Sequence, residues 1–127
     1  MLADSPIAAI IPCNDLDRAK RFYTETLGLT VTKESPEDTR VESGGTMFGL
    51  YETPYGGQAQ HTLASFKVDD LDAAMSELRE KGVTFEQYDL PGLKTVEGVV
   101  ETDDMRGSWF KDSEGNILCL MEDKTKD

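Results

Sequence analysis

The sequence predicts an α+β fold of two β-α-β-β-β modules within a single domain spanning residues 1–127, module one over about 5–53 and module two over about 60–123. An internal repeat carries most of this reading. Asp15-Leu16-Asp17 opens one amphipathic stretch and Asp70-Leu71-Asp72 another, an offset of 70 − 15 = 55. The stretches close at Gly28 and Gly82, an offset of 82 − 28 = 54. A later pair of segments, 45–49 and 115–119, repeats at an offset of 70. The second observation is the alternation of strand-like and helix-like apolar spacing, in the same order in both halves.

The elements follow in order. Residues 7–13 are a β-favouring apolar run, and Asn14 or Asp15 can cap the helix after it. Leu16, Ala19, Phe22, Tyr23 and Leu27 recur at helical spacing until Gly28 stops them. Strands follow over 29–33, 40–42 and 46–52, separated by a Pro36 turn and by Gly44-Gly45, and 54–57 link the halves. In module two, 62–68 alternate as a strand, and Leu71, Ala74, Met75 and Leu78 stripe a helix capped by Asp70. Residues 83–88 read as a strand, 90–93 as a loop, and 96–100 are ambiguous. Strands over 107–111 and 116–121 flank the hairpin turn 112–115, and 124–127 read as a frayed tail.

Composition narrows the function. Thirteen basic against twenty-five acidic residues leave 13 − 25 = −12, which disfavours nucleic acid and anionic membrane surfaces. With 38% hydrophobic and 30% charged residues the chain resembles an ordinary globular protein. Residues 1–12 lack the basic start and long apolar stretch of a signal peptide, and no window is long enough to span a membrane. Cys13 and Cys119 lie in apolar stretches, as free buried thiols of a cytoplasmic protein would. No phosphate-binding glycine loop and no nucleophile elbow occurs.

A family resemblance rests on Asn14-Asp15-Leu16-Asp17, Arg21-Phe22-Tyr23, Leu27-Gly28-Leu29, Val68-Asp69-Asp70-Leu71 and the segment from Trp109 to Ile117. The last resembles a Phe-x-Asp-Pro-Asp-Gly-Asn signature, with Ser113 in place of the usual proline and Glu114 in place of aspartate. Together they resemble the vicinal oxygen chelate superfamily, which includes glyoxalase I, bleomycin- and fosfomycin-resistance proteins, extradiol dioxygenases and methylmalonyl-CoA epimerase. The resemblance implies two modules making a curved mixed sheet around a cup, helices outside, and a homodimer. Metal-dependent members hold an ion with one residue from each of four strands. Their pattern falls here on Ala8, Gly49, Leu63 and Cys119, of which only the last could ligate. His61 is the only histidine, so a two-histidine set is excluded, and a displaced site would need His61, Cys119 and a carboxylate. The expectation is a cup with no metal and no other cofactor.

Strand alternation divides the side chains between two faces. Ala9, Ile11, Phe48, Leu50, Ala64, Phe66, Val68, Leu118 and Leu120 should pack under the helices. Ala8, Ile10, Met47, Gly49, Tyr51, His61, Leu63, Ser65, Ile117, Cys119 and Met121 should face the cup. The expected ligand-binding set is Ile10, Met47, Tyr51, His61, Leu63, Ser65, Trp109, Cys119 and Met121, mostly apolar with a few polar groups, as small-molecule pockets are. Bland readings stand beside it. The apolar residues could fill a collapsed cup, Tyr51 and more so Tyr55 could be rim aromatics, His61 an exposed strand end, and Trp109 core or stacking platform. Phe22 and Tyr23 read as helix-to-sheet packing. A Cys119 nucleophile would need a base, for which His61 is the only histidine, and Glu42 and Glu52 are the carboxylates nearest the cup in sequence.

The sequence therefore points to a metal-free protein that binds a small, largely apolar or aromatic molecule, sequestering a toxic or antibiotic-like compound as bleomycin-resistance proteins do. The alternative is a lyase, isomerase or dioxygenase of glyoxalase or epimerase type, metal-independent or with a displaced metal. A third is a regulatory domain with a vestigial cup.

Overall fold

The computed structural model describes residues 1–125 and divides the chain into two compact units, Met1–Gln58 and Ala59–Asp127. In the first unit the elements are β1 (Ile10–Cys13), α1 (Leu16–Arg21), β2 (Thr30–Lys33), β3 (Thr39–Ser43) and β4 (Thr46–Glu52). Their sheet has the order β1-β4-β3-β2, with β1 parallel to β4 and the other pairs antiparallel. β1 is shorter than the expected 7–13. Residues 1–9 are exposed, and the ladder begins only where Ala9 O accepts the Gly49 N–H at 2.8 Å.

The helix continues from α1 as a π-helical turn over Phe22–Thr26, in which Leu27 N–H bonds Phe22 O at 3.1 Å. Ala19 and Tyr23 are buried, and the Tyr23 ring meets Phe48 edge-on at 5.5 Å. Ile11, Val41 and Leu50 complete this core face, each at most 3% exposed.

The second unit contains β5 (Thr62–Lys67), α2 (Leu71–Glu80), β6 (Asp89–Leu90), β7 (Leu93–Lys94), β8 (Val100–Glu101), β9 (Met105–Lys111) and β10 (Ile117–Asp123). Its sheet runs β5-β10-β9-β8, with β5 parallel to β10, and β6-β7 form a separate hairpin. Leu71, Met75, Phe85, Phe110, Leu118 and Leu120 form the core under α2. The expected strand over 83–88 is not formed. Only Phe85 bridges Phe110, Glu86 N–H bonds Trp109 O at 2.8 Å, and the remaining edge of β9 is taken by β8. Residues 90–93, expected as a loop, make the tip of the β6-β7 hairpin, and 96–100, left ambiguous, hold a turn that leads into β8.

Both helices start and stop by the same devices. Asp15 accepts the Arg18 N–H at 3.0 Å and Asp70 the Ala73 N–H at 3.1 Å. Gly28 and Gly82 stop them at φ +76° and +92°, which side chains resist. Val83 N–H returns to Leu78 O, five residues back, whereas Leu29 N–H returns to Tyr23 O, six back. The first helix thus holds one residue more between cap and stop, 28 − 15 = 13 against 82 − 70 = 12, and the π turn absorbs it. Of the tail expected over 124–127, Lys126 and Asp127 lie outside the described residues. Lys124 N–H bonds Asp104 O and its Nζ pairs with Glu101, each at 2.8 Å.

Candidate functional site: the open sheet faces

In each unit the helix covers one sheet face, and the expected site residues lie mostly on the other. In the first unit, Ile10 pairs in register with Gly49, and Met47 and Tyr51 flank Gly49 on β4, so all four share a face. Ile10 is 64% exposed, Tyr51 43% and Met47 41%, large values for apolar side chains in strands. Ile7, Ala8, Ile10, Met47 and Gly49 line a cleft of about 590 Å³, and Tyr51 joins Ile10 and Gly49 in an adjacent one of about 410 Å³. Gly49 has a negative φ; a Cβ there would meet Ile10 Cγ1 at 3.6 Å, so its lack of a side chain leaves the face open.

Sequence reasoning missed Arg40. It lies opposite Gly49 on β3 and lines the same cleft. The signal was the alternation of β3, where Thr39 and Val41 are buried and Arg40 and Glu42 are not. Asp38 grips the Arg40 guanidinium at 2.9 and 3.2 Å and takes the Lys33 ammonium at 3.0 Å. The Arg40 and then the Lys33 hydrogen bonds hold the Asp38 carboxyl below the usual carboxylate range. Asp38 is therefore a fixed anion near neutrality, unsuited to exchanging a proton with a ligand. Glu52 is committed elsewhere: its Oε2 accepts the Leu16 N–H at 2.9 Å, at the start of α1.

In the second unit, Cys119 registers with Ser65 on β5 and Trp109 on β9, placing the three on one face, with Ile117 and Met121 two residues to either side. The orientation of Trp109, open in the sequence, is thereby decided. Its indole Nε1 donates to Thr62 Oγ1 at 3.1 Å, and its ring meets Tyr88 edge-on at 5.8 Å. Thr62 and Tyr88 were also missed. A bulge between the Ile117 and Leu118 pairings inserts Leu63 as an extra residue in β5 and sets Thr62 beside Ile117. Strict alternation hides this. His61 is exposed ahead of β5, and Leu63 is half-buried.

Cys119 is only 6% exposed, and burial pushes its thiol up against the lowering hydrogen bonds of Ser65 and the Ser108 backbone. A thiol so held is a poor nucleophile and a poor metal ligand at neutral pH. Ala8, Gly49 and Leu63 offer no donor atom. Among the described residues no group of three or more His, Cys, Asp or Glu side chains is placed to hold a metal ion. The residues present do not fit the resident metal of the metal-dependent relatives. No helix among the described residues is long and apolar enough to cross a membrane.

Residues 6–120 match the family model of the Glyoxalase/Bleomycin resistance protein/Dioxygenase superfamily. The chain belongs to this superfamily. Its two four-stranded mixed sheets, each backed by a helix, are the superfamily's α+β fold, as the sequence implied. Three solved structures share its fold. An antibiotic-binding protein from Streptomyces sp. CB03234, TnmS3, is 25% identical over 95% of this chain and 98% of its own, with a TM-score of 0.73. UcmS2 is 23% identical over 90% of this chain and 94% of its own, with a TM-score of 0.72. A lactoylglutathione lyase from Agrobacterium tumefaciens is 19% identical over 93% of each chain, with a TM-score of 0.68. No curated protein matches the chain. An antibiotic-binding protein and a lactoylglutathione lyase thus share this fold, so function has to be argued from the side chains.

Proposed function

We propose that this superfamily member binds a small, largely apolar, aromatic molecule without a metal, and that it acts by sequestering an antibiotic-like compound rather than transforming it. The observation that carries the reading is the face of Ile10, Met47 and Tyr51. These are large, exposed apolar side chains around Gly49, where a metal-dependent relative would present a ligand. Methionine adapts to irregular apolar shapes, and tyrosine stacks on planar ones. Arg40 on the same cleft supplies the polar group that would orient the ligand. The likeness to TnmS3 agrees with the reading. The glyoxalase-type alternative would need a proton-transfer group or a metal, and the residues present favour neither. The homodimer that the resemblance implies belongs to the same proposal and is read by sedimentation equilibrium.

The test is a thermal-shift screen of planar aromatic natural products, followed by calorimetric titration of the strongest binder against Met47→Glu and Tyr51→Ala. Each variant should weaken binding by about tenfold or more, as truncating a buried contact does, while melting near the parent temperature. Unchanged affinity in both variants would place the ligand elsewhere and sink the reading.

A further inference from the structure

The 54- and 70-residue offsets differ by 70 − 54 = 16, so module two carries sixteen extra residues between its helix stop and its last hairpin. The structure places them in the β6-β7 hairpin and the tight turn that follows. In that turn Val96 and Val99 exchange both backbone hydrogen bonds around Glu97 and Gly98, at φ +53° and +83°. This excursion walls a cleft of about 800 Å³ against α2 and β9, on the α2 side of the sheet and away from Trp109 and Cys119. The first module has no counterpart to it.

The chemistry of its walls is uneven. Asp72, Met75 and Arg79 stand three and four residues apart and so share one stripe of α2. Asp72 holds the Arg106 guanidinium at 3.0 and 3.2 Å, and Glu101 is taken by Lys124 at 2.8 Å. These pairs are internally satisfied. Arg79 and Lys94 enter no ion pair among the described residues; the Arg79 guanidinium lies over the Phe85 ring at 5.2 Å. The buried Nε of Arg106 makes no hydrogen bond but lies 3.6 Å from Glu101 Oε1, so that guanidinium is already spent on carboxylates. On a chain of net charge −12 this cleft balances three basic against three acidic side chains, and with Asp72 and Glu101 held by Arg106 and Lys124 it leaves Lys94 and the Phe85-stacked Arg79 against the one carboxylate of Glu97.

The geometry points to a second binding site here, for a small amphipathic carboxylate, with the acidic head on Lys94 and Arg79 and the apolar body on Met75, Val96 and Val99. It is independent of the proposed ligand face in the first unit. A ¹⁵N–¹H NMR titration with hexanoate, with hexan-1-ol as the neutral counterpart, tests it. Hexanoate should shift the amides of 94–99 and of α2 saturably, and hexan-1-ol should not. Lys94→Gln should raise the dissociation constant about threefold to fivefold, the scale of an exposed ion pair, and adding Arg79→Gln should raise it further. Met47→Glu should leave these shifts intact. The proposal is overturned if these amides do not move, if hexan-1-ol moves the same set, or if Lys94→Gln binds like the parent. Because Arg79 also packs on Phe85, Lys94→Gln on the short exposed hairpin decides should the double variant fail to fold.

Discussion

Asp112 shows how much of a family signature is structural. Its Oδ1 accepts the N–H groups of Glu114 and Asn116 at 2.8 and 2.9 Å, and its Oδ2 accepts Asn116 Nδ2 at 2.9 Å. Asn116 is fully buried, and Gly115 takes φ +88°, which closes the turn between β9 and β10. The turn residues 112–116 of the segment that carries the resemblance thus serve to build a hairpin. Asp112→Ala would strand buried donors and should cost about 3 kcal/mol, read as a fall in the urea midpoint with an unchanged slope. A loss below about 1 kcal/mol would mean the turn is held by something else. The two helix-start glutamates were equally legible in principle. Glu52 and Glu122 are 122 − 52 = 70 apart, and Glu122 Oε1 accepts the Leu71 N–H at 2.8 Å as Glu52 does that of Leu16. The repeat that located the strands also marked these carboxylates as structural, and the sequence reading passed over it. Trp109 was not legible, because its face depends on the pairing register of β9, which no local pattern encodes.

At the scale of elements, helices and hairpins were readable because caps, glycine stops and turns act within a few residues. The strand expected over 83–88 had the right composition but had to compete for the edge of β9. The sixteen-residue insertion delivers Val100–Glu101 to that edge, leaving Phe85 a single bridge and turning its ring 5.7 Å from that of Phe110. Propensity cannot foresee a non-local competitor. The bulge beside Leu63 was hidden for the same reason. The shift from 55 to 54 was visible in the sequence, and its cause was not: one residue accommodated as a π turn after α1. Deleting Glu25, exposed and C-terminal to the buried Tyr23, should restore ordinary helical spacing. The cost should be no more than about 2 kcal/mol, within the range of common point changes, measured by thermal melting. Loss of the cooperative transition would mean that the π turn is required for the fold rather than tolerated by it.

At the scale of the whole molecule, each helix covers one side of its own sheet, and the first unit leaves Ile10, Met47 and Tyr51 exposed on the other side of its sheet. The net charge of −12 disfavours association with polyanions and says little about a neutral aromatic ligand. What separates this chain from metal-dependent relatives is chemical. Of the four positions where the resemblance puts metal ligands, three carry no donor side chain, and the fourth is a buried thiol whose pKa burial raises. The measurement that tests this account most directly is metal content by mass spectrometry on protein purified without added ions, followed by melting with Ni²⁺, Zn²⁺, Mn²⁺ and Fe²⁺. On this account, trace metal, no change in melting temperature with any ion, and aromatic-ligand affinity unaltered by EDTA are the expected results. About one ion per chain with a raised melting temperature, as specific binding to the native state produces, would contradict it.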